Sequence, residues 1–83
     1  MAADRPLLVH FSGSETNVLT ELMKDGASNA EIASRLFVSI ETVRSQMRTA
    51  LKKAGVRSRA ALVLHLSKRW VVAVDNRGRV VQF

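Results

Sequence analysis

Residues 28–55 read SNAEIASRLFVSIETVRSQMRTALKKAG, and the periodicity of this stretch decides the fold. Ile40, Val43, Met47, Ala50, Leu51 and Ala54 recur at spacings of three and four, which puts them on one side of a helix over residues 40–54. Arg44, Arg48 and Lys52 recur every fourth place in another phase, and Glu41 is the only acid that shares their face. A basic face with so few acids is not assembled from neutralising ion pairs; it points to a negatively charged partner. Ser39 is a good N-cap, Glu41 lies in the first turn where the helix dipole favours an acid, and Gly55 accepts the left-handed residue that ends a helix. Lys52 and Lys53 fall in the last turn, where the dipole favours a cation. Upstream, Ser28 and Glu31 have the spacing of a capping box and open a shorter helix with Ile32, Ala33 and Leu36 inward. The two helices are separated only by Phe37-Val38-Ser39.

Working outward, Ser12 and Glu15 repeat the capping-box spacing. They open a first helix that turns Val18, Leu19, Leu22 and Met23 inward and stops at Gly26. Before it, RPLLVHF (5–11) alternates Leu7, Val9 and Phe11 and reads as a strand or extended arm. After Gly55, Ser58 caps a fourth helix whose Ala61, Leu62, Val63, Leu64 and Leu66 are apolar nearly all round. Such a helix is either central to the core or half of a contact with a second copy. The tail WVVAVDNRGRVVQF (70–83) reads as a β-hairpin, with valine-rich arms around Asp75-Asn76-Arg77-Gly78. Trp70 is expected to anchor it to the helices, and the hairpin to lean on the 7–11 segment or to join two chains, since an isolated hairpin is marginal in water. Arg77 and Arg79 are in reach of a polyanion or serve as ordinary turn residues. The chain therefore divides into an arm at 1–11, a helical domain at 12–69 and a hairpin at 70–83.

With 83 residues the chain makes one small domain, and 47% hydrophobic content with one Pro marks it as folded. No Cys is present, which excludes disulfides and Cys-ligated zinc. His10 and His65 are isolated, with no second ligand at helical spacing, so neither a metal site nor any other cofactor is expected. No Ser–His–Asp grouping, carboxylate pair or Gly-rich phosphate loop is apparent, and the chain does not read as an enzyme. No apolar run reaches the roughly 18 residues that span a bilayer. MAADRP lacks the layout of a signal peptide, so a cytoplasmic place is expected. The net charge of +6 is polarised. Residues 1–43 hold three basic residues and six acids, a net −3; residues 44–83 hold ten basic residues and Asp75, a net +9. Such a footprint suits a polyanion, either a nucleic acid or an acidic membrane surface.

Two short helices joined by a three-residue turn, the second with a basic face, form the helix-turn-helix layout. A helix about 10–12 Å across fits the major groove of duplex DNA while the preceding helix braces it. Small Ala33 lets the two helices approach, and Ile32, Leu36, Val38 and Val43 are expected to wedge them at a fixed angle. The fold class is mainly α: a compact four-helix helix-turn-helix domain with a short N-terminal extended segment and a C-terminal β-hairpin. A winged version is disfavoured, because helix 4 separates the recognition helix from the hairpin.

NAEIASRLFVSIETVRSQM followed by LKKAGVRSRAALV resembles the LuxR/FixJ-type DNA-binding domain of bacterial transcription regulators. Ser28, Asn29, Glu31, Ile32, Ala33, Arg35, Leu36, Ser39, Thr42, Val43 and Arg44 match the family pattern without a gap, and Lys53, Gly55, Val56 and Arg59 match further on. The resemblance covers residues 11–66. Gln46 stands where many members have histidine, and Phe11-Ser12-Gly13-Ser14-Glu15 lacks the arginine common before helix 1. The resemblance implies binding to double-stranded DNA with the 40–54 helix in the major groove. It places Arg44, Ser45 and Arg48 at base edges, with Ser39, Thr42, Lys52 and Arg59 at backbone phosphates. It also implies a homodimer through helix 4, with Leu62, Leu64 and His65 as contacts. The expected function is a sequence-specific transcription regulator. A promoter-reading module like the fourth region of small sigma factors, associated with RNA polymerase, and a protein-interaction adaptor are the alternatives.

Overall fold

The computed structural model describes residues 7–68 and 71–83. The chain runs β1 (Leu7–His10), α1 (Gly13–Asp25), α2 (Asn29–Leu36), α3 (Ile40–Ala54), α4 (Arg59–Leu66), β2 (Val71–Val74) and β3 (Val80–Val81). Four helices with a small sheet at one side bear out the mainly-α, four-helix reading. Trp70, expected as the hairpin's anchor, and the 1–6 part of the arm lie outside the described residues.

Each helix begins where its cap puts it. Ser12 Oγ accepts the N–H of Glu15 at 3.1 Å while Glu15 Oε1 accepts the N–H of Ser12 at 3.0 Å. Ser28 and Glu31 repeat the exchange at 3.1 and 3.0 Å. Ser39 Oγ accepts from Thr42 N–H at 3.1 Å, and Ser58 Oγ from Ala61 N–H at 3.0 Å. Six backbone donors at helix starts are thereby satisfied, and loss of such a cap costs about 1 kcal/mol. At the other ends, α1 and α3 close on glycines, but α2 closes on Phe37, with φ +57°. A side chain is disfavoured there, yet the backbone is held by Val38 N–H donating to Ala33 O at 3.0 Å.

The core gathers Phe11, Val18, Leu19, Leu22, Ile32, Val43 and Leu62, all fully buried, with Met47 and Ala50 beside them. Burying a side chain of this size contributes about 1.5–3 kcal/mol. Small Ala33 is buried, whereas Val38 is 41% exposed. Val38 shapes the turn through its backbone N–H, not by wedging the helices with its methyls.

β2 and β3 form the expected hairpin, with Ala73 opposite Val81 and Val74 opposite Val80. The hairpin does lean on the 7–11 segment: β1 pairs β2 in parallel, from Leu7↔Val71 to His10↔Val74, giving the strand order β1-β2-β3. Phe11 N–H then donates to Val74 O at 2.8 Å, carrying the pairing up to the start of α1. Val9 and Ala73, neighbours in that register, face the helices and are buried.

Candidate nucleic-acid interface

The buried side of α3 is Val43, Met47 and Ala50, and this fixes what the opposite side presents. Glu41, Arg44, Ser45, Arg48 and Lys52 are all exposed, on the face set off from the core by the 3.6-residue period. Arg48 and Lys52 have no hydrogen-bond or ion-pair partner among the described residues. Arg44 Nη1 donates to Glu41 Oε1 at 2.6 Å, one turn earlier on the same helix. Exposed pairs of this kind contribute about 0–1 kcal/mol, so an approaching polyanion can exchange Glu41 for itself at little cost. Gln46 is half-buried beside the stripe. At the N-terminal end, where the dipole is positive, the Ser39 and Thr42 hydroxyls lie 2.9 Å apart.

Two other predicted positions, Arg59 and Leu62, are engaged inside the fold. The Arg59 guanidinium reaches back to α2: Nη1 donates to Asn29 Oδ1 at 2.6 Å and Nη2 to the carbonyl of Ala27. It pins the start of α2 to the start of α4, and the donors engaged there are withdrawn from any ligand. Leu62, expected at a contact between copies, is 0% exposed within the monomer, because this side of α4 fills the core. Leu64, by contrast, is 63% exposed, and His65 is half-buried on the same helix.

Lys53, expected to complement the dipole at the last turn of α3, has a larger role. Its Nζ donates to Glu15 Oε1 at 2.7 Å, tying the end of α3 to the cap of α1. Burial pushes the Glu15 carboxyl up, but the Lys53 ammonium and the Ser12 N–H outweigh it and hold the carboxyl below its ordinary value. The tie joins two helices through residues that stand 38 places apart in the chain. Residue spacing carries no sign of it, since the partners are far apart in the chain and meet only through the fold.

Among the described residues, no helix is long and apolar enough to cross a membrane. The family model for bacterial regulatory proteins of the luxR family matches residues 9–66. The chain is 48% identical over 56 residues to the nitrate/nitrite response regulator protein NarP of Escherichia coli, covering 66% of this chain and 26% of that protein. It is 53% identical over 45 residues to the response regulator RamR of Streptomyces coelicolor, covering 54% of this chain and 22% of that one. Over 46 residues it is 41% identical to the spore germination protein GerE of Bacillus subtilis, covering 55% of this chain and 62% of GerE. The chain thus spans about a quarter of the two response regulators. No solved structure matches. With the caps, the tight turn and the exposed basic face of α3 in place, the match across most of its length means that this chain is a DNA-binding helix-turn-helix domain belonging to the luxR family of bacterial regulatory proteins.

Proposed function

We propose that the domain is a sequence-specific transcription regulator that inserts α3 into the major groove of double-stranded DNA. Arg44, Ser45 and Arg48 face base edges, and Ser39, Thr42 and Lys52 meet backbone phosphates. One observation carries this reading: Arg48 and Lys52 are exposed and unpartnered, among the described residues, on the face of α3 opposite its buried side. A guanidinium matches guanine O6 and N7 with two parallel donors, worth about 1–3 kcal/mol of discrimination. Arg59 positions α2 from inside the fold instead of reaching for phosphate.

The domain acts as a homodimer through α4, a reading supported by the 63% exposure of the large apolar side chain of Leu64 on that helix. Two copies with α3 in grooves about one helical turn apart select an imperfect inverted repeat. The decisive experiment is selection from random duplexes at stated salt. Enrichment of a two-fold site supports both claims, and enrichment of a single half-site supports recognition alone. If no sequence is enriched, the basic face serves a protein partner and the DNA-reading claim is lost. Sedimentation of Leu64→Asp beside the parent tests the seam separately; an unchanged monomeric mass in both rejects it.

A further inference from the structure

The family match ends at residue 66, but the chain continues into the β2–β3 hairpin, whose turn is Asp75-Asn76-Arg77-Gly78-Arg79. The acid in this turn is committed to the backbone. Asp75 Oδ1 accepts the N–H groups of Arg77 and Arg79, both at 2.9 Å, while Asp75 N–H donates to Arg79 O at 2.9 Å. Those backbone donors, that of Arg79 foremost, hold the Asp75 carboxyl below its ordinary value, so it stays ionised as a clasp for the loop. The two guanidiniums are left over. Both arginines are exposed, and neither side chain has a hydrogen-bond or ion-pair partner among the described residues.

The turn also has a defined place relative to α3. Val74, its neighbour, accepts from Phe11 N–H at 2.8 Å; the next residue, Ser12, donates to Glu15 Oε1 at 3.0 Å; and Glu15 Oε1 accepts Lys53 Nζ at 2.7 Å. An unbroken series of short bonds therefore ties the hairpin turn to the C-terminal end of the recognition helix. Lys52, next to Lys53 at that end, and Arg77 and Arg79 in the turn are exposed cations without a partner among the described residues. The acids in the series, Glu15 and Asp75, are engaged by Lys53 and by the turn backbone.

We propose that the β2–β3 turn is a second phosphate-binding site, in which Arg77 and Arg79 contact the DNA backbone flanking the groove entered by α3, beyond the helix's C-terminal end. The major groove is only about 12 Å wide and walled on both sides by phosphates, so cations held just past a helix that lies in it meet a wall. Such contacts carry no base information; they set register and lengthen the footprint. This inference rests on the DNA reading given above.

The test is a salt series with the full chain on a selected duplex and on an unrelated one, comparing the parent with Arg77→Ala/Arg79→Ala. Removing one cation from a phosphate makes the slope of log affinity against log salt shallower by about 0.9. The double variant is expected to lose nearly two units of slope, and roughly tenfold or more in affinity near 0.1 M salt, equally on both duplexes. Arg77→Lys/Arg79→Lys restores most of it, and the melting temperature stays put. A variant slope equal to the parent's, or a loss confined to the selected duplex, overturns the second site while the primary reading stands. A parent that binds neither duplex overturns both.

Discussion

Lys24 and Arg35, the described cations of α1 and α2, both end on carboxylates. Lys24 Nζ lies 3.0 Å from Glu21 Oε2, and Arg35 grips Asp25 through two bonds of 3.0 and 2.8 Å and reaches Glu21 as well. The Arg35 guanidinium, bonded first of all to Asp25, in turn holds that carboxyl below its ordinary value. Arg48, Lys52, Arg57, Arg77 and Arg79 end on nothing within the described residues. The same residue types thus serve two purposes. In the first half of the domain, charge is engaged within α1 and between α1 and α2; in the second half most of it is left available. Fastening needs short, mutual geometry, whereas a ligand site needs charge that the fold does not already use. Arg59 and Lys53 show that the boundary does not follow the sequence, since both lie in the basic half and both are engaged internally.

The sharpest way to break this contrast is to remove charge from each side of it. Arg44→Ala/Arg48→Ala is expected to cost about 1–3 kcal/mol per guanine pair in binding a selected site, with thermal stability little changed. Arg35→Ala is expected to do the reverse, lowering the melting temperature and leaving the salt slope of DNA binding as it was. Equal losses of affinity for the selected site in both variants would erase the distinction.

Next in size is Arg59→Ala. Removing a half-buried guanidinium strips the Ala27 carbonyl and the Asn29 amide of their donor, and leaving such groups unsatisfied costs about 1–3 kcal/mol. Denaturant unfolding should show that loss. A weakened affinity at unchanged stability would instead return Arg59 to the phosphate-contacting set.

Glu15→Gln sharpens the comparison through pH. The folded carboxyl titrates below its ordinary value of 4.5, so its contribution is fully present above that pH and disappears as pH falls through the folded value. The parent should exceed the variant by about 1–2 kcal/mol near neutrality, with the gap closing in acid. Unfolding curves of both proteins at two pH values check this; a gap independent of pH would mean that the Lys53 tie contributes nothing ionic.

The smallest effect is a gain. Phe37 is 95% exposed with φ +57°, so Phe37→Gly relieves the backbone without losing packing. About 0.5–1 kcal/mol of added stability is expected in chemical denaturation.

The helices and the basic face were legible in the sequence because their determinants are local. Ser12, Ser28, Ser39 and Ser58 each bond a backbone group three residues on, and the α3 stripe follows from a period of 3.6. What stayed hidden depended on residues meeting through space. The Lys53–Glu15 tie, the Arg59 pin and the parallel pairing of Leu7–His10 with Val71–Val74 leave no spacing signal. Phe37 was hidden for another reason: a left-handed helix cap is legible when it is glycine, and here a bulky residue takes the place. The internal burial of Leu62 could not be told from the exposure of Leu64 while α4 looked apolar all round.

The parallel β1–β2 ladder has a kinetic consequence. Its partners are separated by all four helices, so closing it demands the largest loop in the molecule, while the helices assemble from near neighbours. The ladder should therefore form last and open first. Its amides should trade protons with water through a partial opening that leaves the helical trunk intact, at a free energy below that of global unfolding.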